Sequence, residues 1–354
     1  MIEAYQAIGL SPVFRGIRRR EEIGENLTQI SKLARVAVRW TEALDVPVRL
    51  ITIPEGALQG FTDEIFDVDH EDFAREGAID IPGPETERLG ELAAELDVFI
   101  MATAKARHPE FPGRFFNIGF VIDPRGEIVL RHHKVVPLQP REHSVTPHSV
   151  WDRWVELYGE NLDAFYPVAD TEIGRLGFIM ANEGSYPENA RGLAMNGCEV
   201  AYRGPYPGAQ YYEVQNRARA LDNNMYVIGN QNGPSFVEEG DSMPIDATGR
   251  RSMIVDYQGS IIGDVTSGGG AAFLSGVIDI DALRRFRVTA RWNNWMKDLT
   301  TEQYRLIYDR PVFPKNLNLD RVPMRHEEYA REVTDKQIDL MRERGIWRDP
   351  SERA

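Results

Sequence analysis

Three short stretches of this chain put a polar or turning segment at the point where an apolar run breaks off. Glu55 follows Ile51-Thr52-Ile53-Pro54, Lys134 stands between Val129-Leu130 and Val135-Val136, and Gly177-Phe178-Ile179-Met180 runs into Ala181-Asn182-Glu183-Gly184. A carboxylate so placed can take and return a proton, and an ammonium can offset charge developing on an oxygen. Ala181 offers no reactive atom at all. Each stretch taken singly has a plainer reading: a solvated loop glutamate at 55, a lysine snorkelling to the surface at 134, and simple packing at 181.

Groups of this kind need a rigid frame, and the remaining sequence describes one. Runs rich in β-branched and aromatic residues predict strands over Val46–Ile53, Val98–Ala104, Phe116–Asp123, Glu127–Arg131, Leu176–Met180, Glu199–Tyr202, Tyr226–Gln231, Arg251–Tyr257, Ser260–Val265 and Ala271–Ile278. Helical spacing of apolar residues marks Glu25–Thr41, Glu85–Leu96, Glu188–Met195, Ala209–Leu221 and Glu327–Arg344. Strands alternating with helices, with turn-like links at Asp123-Pro124-Arg125-Gly126 and Tyr257-Gln258-Gly259, indicate a mixed α/β architecture. The segment 143–168 carries Trp151, Trp154, Tyr158 and Phe165 and reads as an insertion. Those aromatics either line a pocket mouth or form the apolar face of a packed helix. Residues 1–300 are expected to form one domain, and 301–354, proline-punctuated and then charged and helical, an extension packing on it or on a neighbouring subunit.

Composition narrows the partners. A net charge of −14 disfavours nucleic acid and anionic membrane, both of which reward a basic face. No apolar run is long enough to span a bilayer, and Met1–Tyr5 has no signal-peptide character. The single cysteine, Cys198, cannot form an internal disulfide, which suits a reducing cytoplasm. His132 and His133 are neighbours on a strand and point to opposite faces, so they do not make a shared metal site.

The three stretches together resemble, in order, flanking residues and strand-end placement, the Glu–Lys–Cys triad of the carbon–nitrogen hydrolase (nitrilase) superfamily. Pro187-Glu188 with Arg191 is similar to the start of the family's helix after the nucleophile. Asn196-Gly197-Cys198-Glu199-Val200 and Arg217–Asn232 are similar to the segments beyond it. The resemblance covers roughly residues 5–285. It implies an αββα sandwich that dimerises into a four-layer αββα–αββα core, acts on a small-molecule amide and needs no metal or organic cofactor. It further implies Glu55 as general base, Lys134 with the backbone N–H of Asn182 as oxyanion stabilisers, Glu142 as an orienting second glutamate, and Ala181 in the nucleophile's place. For Glu142 a surface ion pair is the alternative.

Asn182-Glu183-Gly184 and Ala201-Tyr202-Arg203-Gly204-Pro205-Tyr206-Pro207 are nearest the aliphatic amidase and formamidase branch by resemblance. Glu183, Arg203 and Tyr206 are therefore expected at the substrate. N-carbamoyl-amino-acid hydrolase and nitrilase are the alternatives. Arg203 suits a substrate carboxylate or a loop salt bridge equally. Cys198, 17 positions downstream, and Ser185, an unactivated hydroxyl, are poor substitutes for the missing thiol. Two explanations remain for Ala181: a cysteine replaced to stop turnover, or a natural non-catalytic descendant used as a binding scaffold. Retention of Glu55 and Lys134, each of which costs desolvation without a partner, favours the first.

Overall fold

The protein is represented by a computed structural model that describes residues 1–205, 209–237, 241, 251–266 and 269–350. Its strands are β1 (Tyr5–Ser11), β2 (Phe14–Arg15), β3 (Val48–Thr52), β4 (Phe99–Arg107), β5 (Phe115–Ile122), β6 (Ile128–His133), β7 (Ala169–Thr171), β8 (Gly174–Ile179), β9 (Val200–Arg203), β10 (Tyr226–Gly229), β11 (Ser235–Phe236), β12 (Arg251–Val255), β13 (Ile261–Thr266) and β14 (Ala272–Ile278). Two six-stranded sheets form, in the orders β14-β1-β3-β4-β5-β6 and β13-β12-β10-β9-β8-β7.

Each sheet has three parallel strands at its centre, β1-β3-β4 in one and β10-β9-β8 in the other, with antiparallel strands outside them. Parallel neighbours require crossovers. Helices Ile23–Thr41 and Pro84–Leu96 make them on the first sheet, and Pro187–Met195 and Ala209–Asn223 on the second. Between the sheets, Leu50, Met101 and Val121 meet Phe178, Tyr202 and Ile228. On the outer faces, Ile30, Ala34 and Leu89 cover the first sheet, and Leu193, Tyr212 and Ala220 the second. The result is the expected αββα sandwich. Central strands buried on both sides read as continuous apolar runs, which is why Phe99–Arg107 and Phe115–Ile122 stand out in the sequence.

Strand β1 and helix Ile280–Thr289 were not expected. All seven residues of β1 are buried, so it shows no alternation, and it is too short to announce itself by composition. Segment 143–168 folds as two short helices, Trp151–Tyr158 and Leu162–Phe165. Near the end of the chain one continuous helical stretch was expected over Glu327–Arg344. It is made of His326–Tyr329, a π-helical turn Ala330–Thr334, and Asp335–Glu343. No helix among the described residues is long and apolar enough to cross a membrane.

Candidate active site

The carboxyl ends of β3 and β8 and the end of β6 lie at one edge of the sandwich, where open α/β sheets present their ligands. Glu55, beyond β3, is 3% exposed, Lys134, beyond β6, is 1% exposed, and Glu142 is 2% exposed. Lys134 Nζ donates to Glu55 Oε1 at 2.8 Å and to Glu142 Oε2 at 2.6 Å. Asn117, inside β5, donates through Nδ2 at 2.9 Å each to Glu55 Oε1, which it shares with Lys134, and to Glu142 Oε1. Ser144 Oγ and the Leu138 N–H complete the coordination of Glu142 at 2.8 and 3.1 Å.

One ammonium shared by two buried carboxylates drives their proton affinities apart. Burial raises the Glu55 carboxyl above its ordinary range and the negative Glu142 adds to this, against the pull of Lys134 and Asn117. Burial also works on Glu142, but there Lys134 and Asn117 win and hold it well below the carboxylate range. Lys134 stays protonated because the carboxylates outweigh its desolvation. The arrangement therefore holds a permanent ion pair, Lys134–Glu142, beside a carboxyl poised to exchange a proton.

Ala181 meets this centre through a glycine. A Cβ on Gly204, just past β9, would lie 2.7 Å from Ala181 N and 2.8 Å from Glu55 Oε2. Glu55 and the corner therefore face one small space that any other residue at 204 would fill. Glu55 Oε2 has no hydrogen-bond partner among the described residues. Ala181 itself has φ +33°, the left-handed region that costs a side-chain-bearing residue about 1–3 kcal/mol and persists only where its surroundings impose it. Those surroundings are visible. Glu183 is wholly buried, accepting from the Met180 N–H at 2.7 Å and from the Val135 N–H at 2.7 Å, with His132 Nε2 at 3.1 Å. One carboxylate thus ties the residue before Ala181 to the residue after Lys134.

The sequence placed Glu183 and Arg203 at the substrate, and the structure turns both inward. Glu183 is occupied as just described. Arg203 is fully buried beneath Gly184, donating to the Gly204 carbonyl at 2.8 Å and to Gln215 Oε1 at 3.1 Å, with its guanidinium 5.1 Å from the Tyr212 ring. Asn182 is largely buried, and its side chain donates to the Pro137 carbonyl at 2.8 Å. Tyr206 lies outside the described residues. Cys198 is buried away from this centre against Gly177 and Leu193, and burial pushes its thiol up to about 12, far from a reactive thiolate.

Several participants were not singled out from sequence: Asn117, Ser144, Gly204, and a second buried cluster in which Lys105 pairs with Asp63 and Glu64. Burial pushes the Glu64 carboxyl up to about 7, and the charges of Glu142 and Lys134 act on it too. Asn117 did leave a signal, being the one polar side chain in the run Phe115–Ile122. A polar group buried in such a strand must find partners.

A cavity of about 560 Å³ adjoins the site, reached by Val135 and Asn182, the neighbours of Lys134 and Ala181. Its walls include Trp151 and Phe165 from the insertion and Phe313, Tyr329 and Val333 from beyond residue 300. Trp154 instead packs into the core with Phe111, Phe116 and His133. The two sequence readings of the aromatic insertion therefore describe different residues of it.

Comparison with known proteins fits this geometry. Residues 8–287 match the family described as carbon–nitrogen hydrolase, and the chain belongs to it. Formamidases of Bacillus thuringiensis (strain Al Hakam) and Bacillus anthracis are each 28% identical over 216 residues, 60% of this chain and 57% of theirs, so the match spans little more than half of these relatives. The carbon–nitrogen hydrolase from Helicobacter pylori G27 superimposes with a TM-score of 0.64 at 16% identity, over 87% of this chain and 99% of that one. A cysteine-to-alanine mutant of the Nesterenkonia AN1 amidase superimposes with a TM-score of 0.61 at 16% identity, over 87% and 98%. The shared fold is that of the nitrilase superfamily.

Proposed function

We propose that this chain is the frame of a thiol amidohydrolase with an inert residue at the nucleophile's place, 181. The observation that carries the reading is the common space beside Gly204, faced by Ala181 on one side and by the partnerless oxygen of Glu55 on the other, with Lys134 on that carboxylate's second oxygen. With cysteine at 181, Glu55 takes the thiol proton and the sulfur attacks the amide carbon. Lys134 and the Asn182 backbone N–H offset the charge on the oxygen. Collapse breaks the carbon–nitrogen bond, and Glu55 returns the proton to the departing amine. Glu55 then draws a proton from water, which attacks the thioester and releases acid and thiol. Glu142 keeps Lys134 charged and in place. No metal or organic cofactor enters these steps.

The reading favours amides over N-carbamoyl amino acids or nitriles, supported by the formamidase relatives. Arg203, buried and engaged, lends no support to a carboxylate-bearing carbamoyl substrate. The aromatic-walled cavity supports a substrate larger than formamide, its apolar portion lying against Trp151, Phe165 and Tyr329. Tyr211 and Val214, exposed one turn apart on helix Ala209–Asn223, support burial of that helix's outer face against a second copy.

The experiment is Ala181→Cys. The variant should gain amide hydrolysis, measured as ammonia release from a panel of short and bulky amides, and a single alkylation at residue 181 by mass spectrometry. Alkylation without hydrolysis of any amide, carbamoyl compound or nitrile would overturn the enzyme reading. It would leave the second one, a binding protein on a hydrolase frame, for which Ala181 itself is the supporting observation.

A further inference from the structure

Away from the Lys134 centre, Asp67, His143 and His326 bring one carboxylate and two imidazoles together from three distant parts of the chain, with ligand atoms all within 4.8 Å of one another. His143 is 2% exposed. Its Nδ1 lies 3.1 Å from the Val68 carbonyl, which can only accept, so the ring hydrogen belongs there. In the neutral ring Nε2 then carries a lone pair, and it faces Asp67 Oδ1 at 3.0 Å with no hydrogen-bond partner among the described residues. Two acceptors this close repel unless a cation stands between them.

The spacing suits a metal ion. Ligands about 2.0–2.1 Å from a tetrahedral zinc lie about 3.3 Å from one another. His143 Nε2 and His326 Nε2 lie 3.0 and 3.5 Å from the same Asp67 oxygen; without an ion His326 Nε2–H donates to the Arg141 carbonyl at 3.0 Å, and ion binding shifts that ring hydrogen to Nδ1. Outer contacts hold the ligands as metal sites require. Val68 orients His143, Arg325 Nε binds Asp67 Oδ2 at 3.1 Å, and the His326 N–H donates to Asp67 Oδ1 at 3.1 Å.

We propose that Asp67, His143 and His326 bind one divalent transition-metal ion of the zinc type. The ion clasps the C-terminal extension to the sandwich. His143 directly follows Glu142, and His326 opens the helical stretch that carries Tyr329 and Val333 into the cavity wall. Metal binding therefore fixes the wall of the cavity without taking part in bond cleavage, and the proposal stands whatever residue 181 does.

The test uses the full, tag-free chain, stripped with a chelator. Cobalt(II) should produce the visible absorption of a low-coordinate nitrogen–oxygen site and zinc should displace it. Zinc should remain at one ion per chain after dialysis and slow tryptic cleavage beyond residue 300. His326 lies on the extension, so His326→Gln spares the folding of the sandwich. It should weaken zinc by more than the about 10–100-fold that loss of an outer-shell partner costs. His143→Gln should do the same. Absence of stoichiometric zinc, equal affinity in His326→Gln, or protection from trypsin that depends on acidification and not on zinc would overturn the proposal, the last identifying a proton as the bridging cation.

Discussion

Tyr329 lines the cavity and Lys134 adjoins it through its neighbour Val135, yet the two are held by opposite means. Around Lys134 every contact is buried and comes from the sandwich: Glu55, Glu142, Asn117 and, through Glu183, the corner at Ala181. Tyr329 sits in a small cluster with Met324 and Val333, on a segment tied down by backbone bonds such as Asn316 N–H to His148 O at 3.1 Å and by surface pairs such as Lys315–Asp152. Such exposed pairs contribute about 0–1 kcal/mol each. Between residues 301 and 315 every described residue is exposed. The difference teaches that the groups proposed for chemistry share the full cooperativity of the core, while the wall proposed to select a substrate rests on a segment with few buried contacts.

Perturbing the two walls should separate their effects. In the Ala181→Cys background, Glu55→Gln removes the proton carrier, and kcat/KM for amides should fall about 10²–10⁴-fold while the amide keeps the Lys134 and Asn117 hydrogen bonds, so the loss of urea stability should be smaller than for Glu142→Gln. A smaller fall would move general base catalysis elsewhere. Glu142→Gln attacks the same wall through its ion pair, and leaving Lys134 short of a buried partner should cost about 3–5 kcal/mol of stability. Its pH signature follows from the depressed proton affinity. Stability from ionised Glu142 is complete above its unfolded value of 4.5 and is lost as pH falls from there toward about 2. Urea midpoints measured across that window should be flatter for Glu142→Gln than for the parent. The mildest change is on the other wall: Tyr329→Ala should raise KM for bulky amides on the order of tenfold, with kcat preserved. A loss of kcat instead would mean that the two walls are mechanically one.

The same contrast governs what could be read without coordinates. Glu55, Lys134 and Ala181 could be singled out because each lies just beyond an apolar strand, and strand ends are where parallel sheets present side chains; Glu142, in the loop after β6, came only from the family resemblance. Which way a side chain turns after a corner is another matter. Glu183 was expected at the substrate, but the Met180 and Val135 N–H groups needed an acceptor, and Glu183 turns inward to supply it. Arg203 likewise went beneath Gly184, where only the missing Cβ makes room. Nothing in the local sequence of the extension says what it packs upon, since charged, proline-broken stretches carry little periodicity. The partnership of Asp67 with His143 and His326 has no spacing rule at all.

The left-handed backbone at residue 181 has a consequence for anyone redesigning this centre. Its strain is imposed by Glu183 and the turn around it, not by the chemistry of the occupant, so a methyl group inherits the same contortion a sulfur would. Branching at Cβ is poorly tolerated in that conformation. At the nucleophile position proposed for 181, serine is thus a permissible oxygen analogue, whereas threonine would force the loop to relax, and a torsion angle limits the choice before reactivity is considered.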